Sequence, residues 1–369
     1  MIVVRPIVFA RNARIVVRRY AFCQNNTIFV PLKTKDAMEL YEHAAPEVMT
    51  GKKILFLHGF ASSGRNGSVK TLRTLLPQAQ IIAPDLPEHP ADAMAMLRSI
   101  VDSDRPDLVI GTSMGAMYAE QLHGTDRILV NPAFCLADTI LKNNGLGRQD
   151  YHNPREDGQT SFLVTKGLLE EYRECSAECF SECDDDHVWG LFGTRDTLVD
   201  TFGLFSSHYS RALRFDGEHY MNDHVILRSV MPVIRRIDDA QEGKTRRTLF
   251  VSILDTLAGP DGLPVQGAVN AYMHLSQSYD TYVLASAPYN TPEAWSEPVR
   301  WAETHLGTVA WDKVVVSNRK DLILGDYIID RHTESYRLQD SMGTVIGYGS
   351  DPYRTWDDIV TFFDRLAGQ

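Results

Sequence analysis

The chain has 369 residues, 44% hydrophobic and 23% charged, an ordinary composition for a folded protein but more length than one core usually serves, so two domains are expected. Its net charge of −11 argues against nucleic acid as the main partner, because a phosphate backbone needs a basic face, and disfavours anionic membranes. There is no run of about 18 apolar residues, and five cysteines is an odd number, so no spanning helix is expected and a reduced, cytoplasmic setting is.

Residues 1–50 read as an N-terminal extension. Arg5, Arg11, Arg14, Arg18 and Arg19 all precede the first acidic residue, Asp36. An Arg-rich, acid-poor start is one form of organelle-targeting segment. The scarcity of serine, with Val3, Val4, Val16, Val17, Ile28 and Val30, favours a short strand-rich extension or a start codon set too early, Met38 and Met49 being alternatives. From Lys52 onward short apolar runs alternate with helix-length stretches, the signature of a parallel sheet flanked by helices. Strands are expected at Ile54–Leu57, Ile81–Ala83, Asp107–Ile110, Ile128–Val130, His187–Phe192 and Ala212–Phe215. Helices are expected at Ala91–Val101, Met114–Leu122 and Asn222–Ile237. The stretch 134–186 is too long for a simple crossover and reads as a helical cap or lid. Asp238 to Arg247 is polar, holds Gly243, and reads as a linker. Strand–helix alternation then resumes, with strands expected at Leu249–Leu254, Tyr282–Ala285, Val314–Val316, Tyr327–Ile329 and Val345–Tyr348. The expected domains are 51–240 and 248–369, both α/β.

Gly111-Thr112-Ser113-Met114-Gly115 stands between an expected strand and an expected helix, the context that a nucleophile elbow requires. Glycines flank the serine because the turn is tight, and the serine sits at a helix N-terminus, where backbone N–H groups favour an oxyanion. His58-Gly59-Phe60 ends an earlier strand, so the N–H groups of Phe60 and Met114 are the candidate oxyanion hole. Asp196 follows the strand ending at Phe192 and is the candidate acid of a triad, with Asp200 as runner-up. His219 follows the strand ending at Phe215 and completes the order Ser, Asp, His that this fold expects. In these roles Ser113 is the nucleophile, His219 takes and returns its proton, and Asp196 orients His219. Gly64, Gly67 and Lys70 do not match a phosphate-cradling loop.

The segments ILFLHGFASSG, VIGTSMGAMYA, LVNPAF and GLFGTRDTLV…FDGEHY together resemble the small bacterial YqiA/YcfP-type esterases of the α/β-hydrolase superfamily, over roughly Lys52 to Asp238. The resemblance implies an α/β-hydrolase fold acting on acyl esters or thioesters through Ser113, Asp196 and His219. It departs most between Leu136 and Cys183, the region that would shape the acyl pocket. There Cys175, Cys179 and Cys183 recur every four residues, which on one helix would put three thiols on one face. A thiolate metal site or redox sensor is one reading; the spacing matches no usual zinc pattern, and a packed face is preferred.

Within Thr248–Leu366, the segments LFVSILDTLAG, YVLASAPYNTPEAWSEPVRWAETHLG and VVVSNRKDLILGDYIIDRHT resemble the deoxyribonucleotidase type of 5′-nucleotidase in the HAD superfamily. The resemblance implies a HAD-like Rossmannoid fold. That family opens with Asp-x-Asp-x-(Thr/Val)-Leu, whose first aspartate attacks phosphorus, whose second handles the proton, and which together help hold Mg²⁺. Aligned on Thr256-Leu257, those positions hold Ser252 and Leu254, and Asp255 is one residue off. Leucine can neither coordinate metal nor carry a proton, and serine there has no evident base. Ser286 matches the phosphate-binding Ser/Thr and Lys320 the lysine that neutralises phosphate. Asp326 and Asp330 match acidic positions of the last motif, and Arg331 stands where a second aspartate is common. A domain without phosphatase activity is therefore expected. A nucleotide or phosphate ligand held by Ser286, Lys320 and Arg331, and a docking or dimerisation surface, both stay open.

The expected activity is hydrolysis of a small-molecule ester or thioester through an acyl-enzyme, with no metal or organic cofactor. The rivals are a ligand-binding sensor or scaffold, and a phosphohydrolase.

Overall fold

The computed structural model describes residues 43–368; residues 1–42, and with them most of the expected N-terminal extension, lie outside the described residues. The first sheet contains β1 (Lys53–Leu57), β2 (Gln80–Ile82), β3 (Leu108–Thr112), β4 (Asp126–Val130), β7 (Val188–Gly193) and β8 (Ala212–Phe215). All its pairings are parallel, in the order β2-β1-β3-β4-β7-β8. Alternate residues feed two cores: Leu55, Leu57 and Val109 face one, Ile54, Phe56, Leu108 and Ile110 the other. A parallel sheet covered on both faces produces the near-continuous apolar runs seen in the sequence.

Between the strands run α1 (Gly67–Leu75), α2 (Pro90–Asp104) and α3 (Met114–Glu120). Asn66 caps α1 by accepting from the N–H of Val69, and Val69, Leu72 and Leu75 recur on its buried face. The insertion before β7 is not a purely helical cap. It holds α4 (Leu136–Asn143), an antiparallel hairpin of β5 (Gly147–Asp150) and β6 (Ser161–Val164), and α5 (Lys166–Ala177). Gly147 takes a positive φ of 114°, and β5 alternates in burial as a half-exposed ribbon does.

After α6 (Phe202–Ser206) and β8, the chain forms α7 (Asp223–Val225), a π-helical turn at Ile226–Val230 and α8 (Met231–Gln241). The expected linker therefore begins four residues too early: α8 continues to Gln241, and Asp238 is buried between Lys52 and Lys244. Residues ahead of the expected hydrolase boundary also belong to this core, since Ala45, Val48 and Met49 are buried in it.

The second sheet has the order β11-β10-β9-β12-β13, again all parallel, from β9 (Thr248–Ser252), β10 (Asp280–Ala285), β11 (Val314–Val316), β12 (Tyr327–Asp330) and β13 (Thr344–Gly347). β9 stops at Ser252, two residues short of the expected Leu254, where the chain turns and Asp255 takes a φ of 51°. The helices are α9 (Ala268–Leu275), α10 (Glu297–His305) and α11 (Trp356–Ala367). Thr355 and Asp358 form a reciprocal capping box on α11, whose Trp356, Ile359 and Phe363 pack into the core. In both sheets a central strand, β1 or β9, has neighbours reached in opposite directions. The carboxyl end of such a switch point is where open α/β sheets form their crevice.

The two sheets meet along the 226–241 helix. The hydroxyl of Thr308 donates to the carbonyls of Arg228 and Ser229, at 3.2 and 3.1 Å, beside the π-helical turn. Trp189 of β7 meets Trp311 edge-on with ring centroids 5.1 Å apart, and the Arg236 guanidinium lies over both rings.

Candidate active site

Ser113 sits where β3 turns into α3. Its φ of 55° and ψ of −115° are strained for a residue with a β-carbon. Close packing holds the turn. A β-carbon on Gly115 would lie 2.2 Å from the carbonyl oxygen of Leu57, and one on Gly111 2.5 Å from that of Gly115. The elbow therefore needs both glycines, so that α3 can lie directly against β1 and β3.

His219 and Asp196 come from the ends of β8 and β7, neighbouring strands. His219 Nε2 is 3.0 Å from Ser113 Oγ, and His219 Nδ1 is 2.7 Å from Asp196 Oδ2. Burial opposes the charge on Asp196, whose side chain is 4% exposed. The bond to His219 and the N–H groups of Leu198 and Val199 outweigh it and hold the carboxyl below its usual range. Asp200, the runner-up acid, is exposed. Asn131, at a φ of 46°, donates to the carbonyls of Glu218 and His219 and accepts from the N–H of Gly193. It ties the loops bearing acid and base together, a role that sequence reading did not assign.

The loop after β1 lies against the serine: a β-carbon on Gly59 would be 3.4 Å from that of Ser113. His58 anchors this loop from within. Its Nε2 accepts from the N–H of Leu86 at 3.0 Å, which leaves the proton on Nδ1, donated to the Gly59 carbonyl at 2.8 Å. Burial pushes its pKa down to about 4. Phe60 follows and lines a cavity of about 750 Å³ that contains Ser113 and His219. The N–H of Met114 opens α3, and first-turn N–H groups lack intrahelical acceptors. Leu136 and Ile140 of α4 give the cavity an apolar wall, and Asn153 and Asn222 a polar one.

The second sheet also ends in a serine. Ser252 Oγ donates to Asp330 Oδ2 at 2.5 Å, and Lys320 Nζ lies 2.6 Å from the same oxygen and 3.1 Å from the serine. Ser252, Lys320 and Asp330 are all buried. A carboxylate thus stands on Ser252, where the sequence shows none, and Lys320 is committed to it. Ser286 Oγ donates to the Ser317 carbonyl. Asp326 precedes β12, accepts from the N–H of Thr248 at the amino end of β9, and so stands at the opposite end of the strand from Asp330. The two acidic residues matched to the last motif are therefore not neighbours: Asp326 lies just before β12 and Asp330 is its last residue. Arg331 is exposed with its guanidinium over Gly349, and Asp255 pairs with His332 at 2.8 Å.

Comparison with known proteins divides the chain the same way. Residues 53–215 match the model of an uncharacterised protein family, UPF0227, and residues 245–358 match the 5′ nucleotidase, deoxy (Pyrimidine), cytosolic type C family, NT5C. The chain joins a UPF0227-type domain to an NT5C-type domain. A Vibrio phage KVP40 protein whose name describes a 5′(3′)-deoxyribonucleotidase is 33% identical over 99 residues, 27% of this chain. The chain spans 58% of the length of that curated relative. Among solved structures, Est1E from Butyrivibrio proteoclasticus aligns over 53% of this chain and 90% of its own at 16% identity, with a TM-score of 0.39. The esterase domain of a Rhodothermus marinus protein aligns over 53% and 86% at 15% identity, with a TM-score of 0.33. Strand order and elbow geometry give the UPF0227-type domain its α/β-hydrolase fold. The UPF0227 match ends at Phe215, so His219 and the helix that follows fall between the two matched regions.

The NT5C-type site does not fit a divalent cation. Leu254 offers no ligand, Ser252 is a weak one, and the ammonium of Lys320 already balances Asp330. Among the described residues no group of three His, Cys, Asp or Glu side chains is arranged to hold a metal, and no helix is long and apolar enough to cross a membrane. The three regularly spaced cysteines do not share one helix, because α5 ends at Ala177. Cys179 is buried, Cys175 half-buried and Cys183 exposed. Burial raises the first two thiols, away from the thiolate that a metal or redox role requires.

Proposed function

We propose that the UPF0227-type domain is a serine hydrolase that cleaves a small carboxylic ester or thioester through an acyl-enzyme. The observation that carries this reading is the unbroken chain Ser113–His219–Asp196, at 3.0 and 2.7 Å, open to a cavity. Ser113 Oγ attacks the carbonyl carbon while His219 Nε2 takes its proton. Asp196 holds the ring by Nδ1 and balances the imidazolium. The N–H groups of Phe60 and Met114 receive the oxyanion. His219 then protonates the departing oxygen or sulfur, and water, deprotonated by His219, releases the acid. No metal or organic cofactor enters these steps.

We assign the NT5C-type domain no phosphatase step, because its serine donates to a carboxylate already neutralised by a lysine. A cytoplasmic setting suits the free thiols of Cys135, Cys175, Cys179 and Cys183.

Labelling by a fluorophosphonate probe, beside turnover of p-nitrophenyl esters of graded chain length, tests the first reading. Both are expected in the wild type and absent in Ser113→Ala. A folded wild type that neither labels nor turns over would refute it. Mg²⁺-dependent phosphate release from a deoxynucleoside monophosphate, lost in Ser252→Ala, would refute the second.

A further inference from the structure

A second cleft, of about 780 Å³, opens between the two sheets. One wall is the helix that follows His219, which presents Arg228, Met231, Arg235 and Asp239 at helical spacing. The facing wall is α9, with Asn270, Met273 and His274. His224 lines both this cleft and the Ser113 cavity.

The chain is acidic, but this cleft is not. Its charged lining comprises Arg228, Arg235, Arg236, Lys244, Arg246 and Lys313 against Asp239 and Asp280. Four of the cations are paired: Arg235 with Glu47, Lys244 with Asp238, Arg246 with Asp239 and Lys313 with Asp280. Two guanidiniums have no carboxylate hydrogen bond among the described residues. Arg228 donates to the Asn270 side-chain oxygen at 2.9 Å and contacts the Met273 sulfur. Arg236 donates to the Trp311 carbonyl at 2.9 Å, and Asp312 and Asp280 act on it only at a distance. A guanidinium presents a planar fork of donors that suits a phosphate carrying several oxygens. Leu227, Met231 and Val309 supply apolar surface beside these charges, and the volume is that of a small-molecule site.

We propose that this cleft binds a small organic anion with two or more negative charges, of the nucleoside polyphosphate class, its charged end held by Arg228 and Arg236 and its organic body against the apolar wall. The site is distinct from Ser252 and Lys320, and it does not depend on the hydrolase reading.

The test is calorimetric titration of the full chain with ATP and, separately, with inorganic tripolyphosphate. ATP is expected to bind one per chain, more weakly at high salt, and more tightly than tripolyphosphate. Arg228→Glu is expected to weaken ATP about tenfold or more, whereas Ser286→Ala, in the NT5C-type domain outside the cleft, leaves it unchanged. Arg228→Gln serves as the second variant where the charge reversal perturbs folding, and is expected to weaken binding in the same direction. Absence of binding at millimolar ATP, or binding lost in Ser286→Ala and kept in both Arg228 variants, would overturn the site. Equal affinity for tripolyphosphate would overturn the organic ligand.

Discussion

The two sheets each bring a serine to the carboxyl end of a strand and a carboxylate near it, yet they arrange the third group differently. At Ser113 an imidazole stands between hydroxyl and carboxylate, so the proton has somewhere to go and the charge left behind has a partner. At Ser252 the carboxylate touches the hydroxyl directly, and a lysine shares the same oxygen. There the serine's neighbours are a carboxylate and an ammonium, and the ammonium, with no lone pair, takes no proton from it. A serine and an acid at a strand end are common to both sites; what differs is the imidazole that stands between them in one and not in the other.

The largest expected effect breaks the first arrangement. Asp196→Asn keeps the shape but lets the wrong ring tautomer form, and ester turnover is expected to fall by roughly 10⁴. Stopped assays on purified protein would show it, and a loss under tenfold would mean that Asp196 does not orient His219. Next is Lys320→Met. It strands the buried Asp330 charge, so the NT5C-type domain is expected to lose about 3–5 kcal/mol in urea titrations, while ester turnover stays near wild type. Adding Asp330→Asn should recover much of that loss, and failure to do so would argue that the pair is not what Lys320 serves.

The third expectation concerns pH. His58 is neutral when folded, with a pKa near 4 against 6.5 when unfolded. Below the unfolded value only the unfolded chain takes up the proton, so stability present above that pH is lost as pH falls through the interval. The expected loss is roughly 3 kcal/mol by linkage. Comparing urea midpoints of wild type and His58→Gln across that range isolates it, since the variant has no such proton to bind. The smallest effect is Ser252→Ala: ester turnover is expected to be unchanged, and a drop would tie the two sites together.

Much of this was legible in the sequence because parallel strands buried on both faces write themselves as short apolar runs, and because Ser113, Asp196 and His219 each follow such a run. The contact of Ser252 with Lys320 and Asp330 was not legible. It joins the ends of two strands and a turn far apart in the chain, and resemblance alone makes Lys320 a phosphate ligand rather than a partner of Asp330. Asp326 misled for a related reason, since likeness by motif says nothing about which end of a strand a residue occupies. The hairpin at 147–164 was missed because its strands are four residues long and half-exposed, too short for a periodic signal. His58 was legible as part of a loop, but the direction of its ring depends on Leu86, far along the chain.

The paired indoles at the join between the sheets have an optical consequence. The chain has five tryptophans, and Trp189 and Trp311 stand edge to face with one guanidinium over both. Trp189 is 5% exposed where it lies. Parting the sheets would wet it and remove its neighbour in one step, without unfolding either core. Intrinsic emission from this protein therefore carries a signal from the seam itself, and a red shift that precedes the loss of helical ellipticity would mark separation of the two sheets before either melts.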